Sequence, residues 1–277
     1  MRTPITYYGG KQMIAKRIVS LIPKHKIYCE PFFGGGAVFF KKPPSKLEVI
    51  NDINDRLMTF YRVIQDDHES LFNAIKNTPH SESFHKLARE IYNKRTDYDK
   101  VGMAWAVWMM TNSSFTGSPH GSWRWCNGSA GSHVGRVLSK KRNELSEALY
   151  NRLRYVQISS REALRVIENR DTEDAFFYLD PPYPGANQKH YYGYKFKEYR
   201  ELLETLSNLR GKFILSNYWS QTLRYYTERN GWFTDSIDGH IVVNHIKSRE
   251  NIAKGKTEWL VMNFKPPKAP GEQQTMY

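Results

Sequence analysis

The sequence predicts an α/β fold: an open, Rossmann-like, mostly parallel sheet that ends in an antiparallel strand pair and is interrupted by a mainly helical insertion. Three observations predict it. Strand and helix patterns alternate near the start, helical patterns replace the alternation in the middle, and the alternation then returns. The 277 residues are enough for one large α/β domain that carries an insertion.

The opening of the chain has the pattern of a nucleotide-binding unit. A strand at 27–29 runs into the glycine turn Gly34-Gly35-Gly36, and a second strand at 47–50 ends near Asp52. The other elements predicted for the sheet region are helices at 14–22, 53–64, 161–168, 196–209 and 222–229 and strands at 155–158, 175–179, 212–215, 241–246 and 259–264. The last two strands are the predicted antiparallel pair.

The insertion is predicted over residues 66–152, between sheet regions at 1–65 and 153–265, and residues 266–277 are predicted as a flexible tail. Its predicted helices are at 71–75, 84–92, 101–110 and 137–153. A polar loop at 111–135 contains Trp123-Arg124-Trp125. Loops of this length are usually functional or disordered, and the tryptophans favour function.

The charge balance indicates a polyanionic partner. Lys and Arg number 41 against 28 Asp and Glu, which gives a formal net charge of +13. A merely solvated basic surface is the alternative, but the chain also has 18 Tyr, 14 Phe and 7 Trp, which are able to stack on unpaired bases. Charge and aromatic content together favour nucleic acid over a membrane.

The longest apolar block, residues 103–110, is too short for a membrane helix, and the N-terminus has no apolar signal core. Cys29 and Cys126 have neither disulfide nor metal spacing, and the histidines show no metal pattern. We therefore expect a cytoplasmic protein without a metal. Its expected oligomeric state is a monomer or a weak dimer.

The glycine turn and the acidic residue after the next strand suggest a nucleoside cofactor. Glycines after a strand let the backbone approach a ligand closely, and Asp52 is placed to hydrogen-bond ribose hydroxyls. The turn is neither the G-x-G-x-x-G dinucleotide pattern nor a P-loop, and a purely structural turn is the alternative.

The second candidate feature is Asp180-Pro181-Pro182-Tyr183, which follows the strand at 175–179. Ligands of open α/β sheets bind beyond the carboxyl ends of the strands. A carboxylate and a rigid backbone carbonyl can accept both protons of an exocyclic amine, which leaves its lone pair available for attack, and Tyr183 offers a ring on which a base can stack. A strand-end turn with a buried tyrosine is the structural alternative.

These features resemble the D12-class, Dam-like family of adenine-N6 DNA methyltransferases, in the motif order called the α group. The similarity covers essentially the whole chain. It is carried by Tyr7-Tyr8-Gly9-Gly10-Lys11, Glu30-Pro31-Phe32-Phe33-Gly34-Gly35-Gly36, Asn51-Asp52-Ile53-Asn54, Asp180-Pro181-Pro182-Tyr183 and the closing segment 256–264. The resemblance implies the methyltransferase form of the Rossmann-like sheet and makes 66–152 its target-recognition domain.

The resemblance also implies residue roles. S-adenosylmethionine would be bound by Tyr7, Lys11, Phe32, Gly34, Gly36, Asp52 and Asp180. Catalysis on a flipped adenine would fall to Asp180, Pro181, Pro182 and Tyr183. Double-stranded DNA is the implied partner. The residues themselves suggest its contacts: Phe115, Arg124, Lys247, Arg249 and Lys254. A solvated basic loop is the alternative for the last three, and packing of the two flanking tryptophans is the alternative at Arg124. Residues 112–121 resemble the family's GATC-reading hairpin only loosely, so GATC is not fixed as the target sequence.

Several alternatives stay open from the residues. A related methyltransferase could act on cytosine N4, on RNA adenine or on a glutamine amide, although an aspartate at the head of the catalytic motif favours adenine. A catalytically silent DNA-binding module is a second class, and Lys11, Asp52 and Asp180 argue against it. A nucleotide-dependent oxidoreductase is a third, disfavoured by the missing dinucleotide pattern.

Overall fold

The structure is a computed structural model that describes residues 1–7, 9–93, 99–126, 134–183, 195–237 and 257–267. Its strands are β1 (Ile27–Glu30), β2 (Leu47–Asn51), β3 (Gln157–Ser159), β4 (Ala175–Leu179), β5 (Lys212–Asn217), β6 (Phe233–Ile237) and β7 (Glu258–Met262). Its helices are α1 (Ala15–Leu21), α2 (Asp55–Asp66), α3 (His68–Lys76), α4 (Glu82–Asn93), α5 (Lys100–Ser113), α6 (Val134–Asn143), α7 (Glu147–Leu153), α8 (Ala163–Arg170), α9 (Phe196–Ser207) and α10 (Gln221–Asn230).

The seven described strands form one sheet in the order β3-β2-β1-β4-β5-β7-β6. The first five strands in this order lie parallel to one another, whereas β7 runs antiparallel to both β5 and β6. Every residue of β4 is buried, as expected for a central strand covered on both faces. The predicted α/β class, with a mostly parallel sheet and an antiparallel pair, is confirmed.

The antiparallel pair is not composed as the sequence predicts. The partner of β7 on the outer side is β6, for which the sequence predicts no strand, and the strand predicted at 241–246 lies outside the described residues. The reason is that β6 is an edge strand whose residues Phe233-Thr234-Asp235-Ser236-Ile237 are exposed or half-buried. Such a strand needs no continuous apolar run, so its sequence signal is weak.

Two predictions in the insertion need correction. The single helix predicted at 137–153 is two helices, α6 and α7, because Ser146 adopts an extended conformation and α7 begins after it. The loop predicted from 111 starts later, since α5 continues to Ser113. A short 3₁₀ turn at Phe115–Gly117 and a β-bridge between Ser114 and Trp123 then fold the loop back on itself.

The helices of the insertion share one hydrophobic core with the sheet. Helix α5 packs against α2 and α4, and it is buried on all sides from Ala104 onward. Its Trp108 belongs to the same buried cluster as Tyr28 of β1 and Phe176 of β4. At the end of the insertion, Arg152 pairs with the buried Glu48 of β2. The described helices of the segment at 66–152 therefore pack on the sheet around one common core.

Among the helices that the structure describes, none combines the length and the apolar character that a membrane crossing would require.

Candidate active site

A cavity of about 760 Å³ opens where β1, β2 and β4 end. Parallel strands deliver their last residues to the same edge of a sheet, which is where ligands of open α/β folds bind. The glycine turn, Asp52 and the turn Asp180-Pro181-Pro182-Tyr183, called the Asp180 corner below, therefore meet in one place. All of the residues predicted for cofactor binding line this cavity: Tyr7, Lys11, Phe32, Gly34, Gly36, Asp52 and Asp180.

The glycine turn adopts a backbone conformation that other residues disfavour. Gly34 has φ +48° and Gly36 has φ +66°. A Cβ on Gly34 would lie 3.0 Å from the ring of Tyr7, and a Cβ on Gly36 would overlap the ring of Phe33. The rings of Tyr7 and Phe33 thus pack closely against the turn, and the backbone of the turn forms part of the cavity wall.

Asp52 both supports the turn and faces the cavity. Its two carboxylate oxygens accept hydrogen bonds from the backbone N–H groups of Gly34 and Asn54, each at 2.9 Å. Burial raises the pKa of Asp52, and these two N–H donors limit the rise. A carboxylate has about four acceptor positions, so Asp52 keeps acceptors for ligand hydroxyls.

The Asp180 corner carries a compact ionic network. Lys11 donates to both oxygens of Asp180, at 2.7 and 2.8 Å, and to the hydroxyl of Tyr183 at 2.7 Å. The Tyr183 hydroxyl in turn donates to Glu258 at 2.5 Å, and Lys11 lies 3.6 Å from the same carboxylate. Ser216 of β5 donates to Glu258 as well. Four separate parts of the chain meet here.

The charges in this network shift one another. Burial raises the pKa of Asp180, while Lys11 opposes the rise and Glu258 adds to it. Burial lowers the pKa of Lys11, but the two carboxylates outweigh it, so that the Lys11 pKa is raised overall. Burial also raises the pKa of Tyr183, and Asp180 and Glu258 reinforce the effect. Lys11 is therefore a cation and Tyr183 a neutral phenol.

The prolines of the corner differ in position. Pro182 lines the cavity, whereas Pro181 is buried and is not one of the lining residues. The ring of Tyr183 meets the ring of Tyr218 edge-on, with centroids 4.4 Å apart. The hydroxyl bonds and this contact fix the orientation of Tyr183. Neither contact tests the predicted stacking of a base on its ring, which stays a prediction.

Three residues of the site were missed by the sequence analysis. Ile53 lines the cavity although 65% of it is exposed, and its only signal was its place directly after Asp52. Glu258 begins β7, inside the closing segment that carries part of the family resemblance, but the sequence analysis gave it no role. Glu30 lines the cavity from a buried position, where burial raises its pKa to about 8 and a hydrogen bond from Tyr28 at 2.7 Å limits the rise.

The loop of the insertion also reaches the cavity. Pro119 and His120 line it beside Tyr92 and Arg56. The ring of His120 meets that of Tyr92 edge-on at 5.6 Å, and the Arg56 guanidinium lies over the Tyr92 ring at 4.9 Å. The loop and the wall near Asp52 are thus in direct contact.

Of the residues predicted to contact DNA, the structure describes Phe115 and Arg124. Phe115 is 53% exposed on the 3₁₀ turn. Arg124 is half-buried, and its backbone pairs with Ser113 and with His80. Of the two flanking tryptophans, Trp123 packs against the His80 ring, whereas Trp125 is exposed. Lys247, Arg249 and Lys254 lie outside the described residues.

Although the chain has a net charge of +13, acids outnumber bases among the charged residues of the cavity wall. Its carboxylates are Glu30, Asp52, Glu162, Asp180, Glu198 and Glu201, and its cations are Lys11, Arg56 and Arg161. Such a wall suits a ligand that carries positive charge. Within the described ranges, no group of three or more His, Cys, Asp or Glu side chains is arranged to hold a metal ion.

Comparison with known proteins gives a consistent answer. The model of the family described as D12 class N6 adenine-specific DNA methyltransferase matches residues 7–251. The chain is 28% identical over 198 residues to the type II methyltransferase M1.LlaDCHI of Lactococcus lactis, with 63% of each chain covered. It is 27% identical over 209 residues to M.MjaIII of Methanocaldococcus jannaschii, covering 66% of this chain and 70% of that one.

A third relative is much longer than this chain. The DNA N-6-adenine-methyltransferase of Escherichia phage P1 is 25% identical over 249 residues, which are 85% of this chain and 32% of the phage protein. The chain thus spans about two thirds of the first two relatives and one third of the phage protein. A solved precorrin-8W decarboxylase covers 95% of both chains with a TM-score of 0.38 and 10% identity, which is too distant to support an argument.

Proposed function

This chain belongs to the family of D12 class N6 adenine-specific DNA methyltransferases, and from that premise we propose that it transfers a methyl group from S-adenosylmethionine to N6 of a flipped adenine in duplex DNA. The single observation that carries the proposal is the shared cavity, in which the glycine turn, Asp52 and Asp180 line one space. The family match favours adenine in DNA over cytosine N4, RNA adenine or a glutamine amide.

The cavity suits the cofactor in three respects. Asp52 has acceptors left for the two ribose hydroxyls, and the exposed side chain of Ile53 offers an apolar surface to the adenine ring. The glycine turn presents bare backbone to the cavity, which lets a ligand approach it closely. The acidic wall fits a cationic ligand. When bound, S-adenosylmethionine supplies a methyl group on a positively charged sulfur, which makes the sulfur a good leaving group.

The chain's own residues then orient the acceptor. Asp180 and the carbonyl oxygen of Pro181 accept hydrogen bonds from the two N–H groups of the target amine. These bonds turn the nitrogen lone pair toward the cavity. Pro182 lines the cavity beside Asp180, and we propose that Tyr183 offers its ring to the base. No covalent bond to the protein is required, so alignment of the reactants supplies much of the rate. Extruding the base from the duplex costs a few kcal/mol.

DNA contacts are proposed for the insertion loop. The exposed ring of Phe115 and the Arg124 side chain are the described candidates, and Arg124 is suited to a guanine edge. Lys247, Arg249 and Lys254 are proposed to contact phosphates.

Single-molecule sequencing of DNA from cells that express the chain tests the proposal, because it reports both the modified base and its sequence context. We expect N6-methyladenine at one short sequence, and none in cells that express the Asp180→Ala variant. DNA without methylated adenine, or with modified cytosine instead, would refute the proposed function.

A further inference from the structure

The Lys11 ammonium lies between two carboxylates. It donates to both oxygens of Asp180, at 2.7 and 2.8 Å, and it is 3.6 Å from Glu258. The side chains of Lys11 and Glu258 are 10% and 12% exposed, so solvent screens their interaction weakly. One nearly buried cation therefore balances two acids.

This arrangement weakens the role proposed for Asp180. Each of its oxygens keeps a lone pair for a further donor, but the Lys11 ammonium balances the negative charge that makes a carboxylate a strong acceptor. The exocyclic amine of adenine is a neutral donor. Asp180 would bind that amine more strongly if Lys11 moved toward another acid.

Glu258 is placed to serve as a second hydrogen-bond partner of the Lys11 ammonium. Its carboxylate is fixed by hydrogen bonds from Ser216 of β5 and from the Tyr183 hydroxyl at 2.5 Å. Lys11 already donates to the Tyr183 oxygen at 2.7 Å, and this hydroxyl donates to Glu258, so Tyr183 links Lys11 to Glu258. A displacement of about 1 Å would bring Lys11 from 3.6 Å to ordinary hydrogen-bond distance of Glu258.

We propose that Glu258 is a positioning residue that takes over the Lys11 ammonium when the target base enters, so that the Asp180 carboxylate keeps more of its negative charge for the exocyclic amine. This inference rests on the proposed function. It assigns Glu258 an effect that acts through Lys11 and depends on the charge of Glu258, whereas a merely structural role would depend on its shape.

The test measures recognition of the amine by binding. The duplex is the recognition sequence found by the sequencing experiment, with adenine or with purine, which lacks the amine, at the target position. Binding of both duplexes is measured with S-adenosylhomocysteine present. For the unaltered chain we expect about tenfold tighter binding of the adenine duplex, the order of one hydrogen bond to a charged group.

Glu258→Gln keeps the shape and an acceptor for Tyr183 but removes the charge. We expect it to lower the preference for adenine to less than about twofold, while Glu258→Asp, which keeps the charge, retains most of it. In a Lys11→Met background, adding Glu258→Gln should change the preference by less than about twofold, since the residue that Glu258 attracts is gone. Glu258→Asp also serves if the glutamine variant does not fold.

The matched control is Asp235→Asn. Asp235 lies on β6 beside β7 and pairs with Arg17 of α1 at 2.8 Å, so its loss removes an ion pair between the same regions but outside the cavity. It should leave the preference unchanged. A full preference in Glu258→Gln, an equal loss in the Lys11→Met background, or no preference in the unaltered chain would overturn the inference. Methylated adenine in the sequencing experiment would still support the proposed function.

Discussion

Lys11 and Asp180 lie 169 positions apart in the sequence and are joined by hydrogen bonds of 2.7 and 2.8 Å. The bond ties the segment before α1 to the carboxyl end of β4. Since β4 is the buried centre of the sheet, Asp180 has a rigid base, and Lys11 determines how much of its charge is available to a ligand.

Asp180→Ala should reduce methyl transfer by more than about 100-fold, because the acceptor for the adenine amine is lost. Binding of S-adenosylmethionine should weaken by less than about tenfold, since Asp52 and the glycine turn remain. Transfer of a radiolabelled methyl group to DNA and calorimetric binding measure the two effects. Asp174→Ala, at the exposed other end of β4, is the control. Retained turnover in Asp180→Ala would remove the role given to that residue.

Asp52→Asn should weaken cofactor binding by about tenfold to 100-fold, because hydrogen bonds to a charged acceptor are lost. It should also lower the thermal stability, since Asp52 holds the backbone N–H groups of Gly34 and Asn54. Calorimetry on Asp52→Asn and on the exposed Asp55→Asn separates the ligand contact from a general loss of charge. Equal affinities in the two variants would contradict the ribose-binding role.

Gly36→Ala should lower the free energy of unfolding by about 3 kcal/mol, because it adds a clash with the Phe33 ring to the strain of a positive φ. Gly231 is the matched control. It has φ +62°, and nothing lies within 4 Å of a Cβ placed on it, so Gly231→Ala should cost only about 1 kcal/mol. Urea unfolding of the two variants measures the difference, which vanishes if the packing around the glycine turn is loose.

The loop at 114–124 should loosen in acid. Burial lowers the pKa of His85 to about 4, with the nearby Arg89 contributing, and the ring is bonded to Ser114 at 2.9 Å. An unfolded histidine has a pKa near 6.5, so the folded chain binds fewer protons between these values. The stability contribution is fully present above about pH 6.5 and is lost as the pH falls toward 4.

The free energy of unfolding, measured from pH 7 to pH 4.5, should therefore fall more steeply in the unaltered chain than in His85→Gln, which has no ionisable group at this position. Parallel curves for the two proteins would show that His85 takes up its proton without opposing the fold.

Affinity for duplex DNA should fall by at least about 100-fold between 50 and 200 mM salt, because several phosphates are neutralised on binding. Arg124→Gln distinguishes two roles for that side chain. If Arg124 contacts a base edge, the variant loses sequence preference and keeps the salt slope. If it contacts a phosphate, the slope becomes smaller by about one. A flat salt response would argue against a basic DNA-binding surface.

The sequence predicted the parallel part of the fold well, because buried strands such as β4 leave continuous apolar runs and glycine turns leave a local pattern. It also gave Asp52 and Asp180 as candidates, and the family resemblance added Lys11; all three line the cavity. It did not predict that Lys11 pairs with Asp180, since a contact between residues so distant in the chain depends on strand order.

The misses have the same physical origin. Glu258 belongs to the site only because β7 is placed beside β5, and β6 was missed because an exposed edge strand carries little apolar signal. His120 reaches the cavity through the folding of a polar loop, for which no periodicity exists. Side chains that a site recruits from distant elements have no spacing rule to reveal them.

The burial of α5 on α2 has a consequence for engineering. If residues 66–152 select the DNA sequence, this segment cannot be exchanged as an independent unit. Trp108 and its neighbours belong to the same hydrophobic core as the sheet. Exchange of the whole segment with that of a relative would leave α2 facing foreign side chains. Redesign toward a new target should start at the solvent-facing turn around Phe115 and leave the buried helices in place.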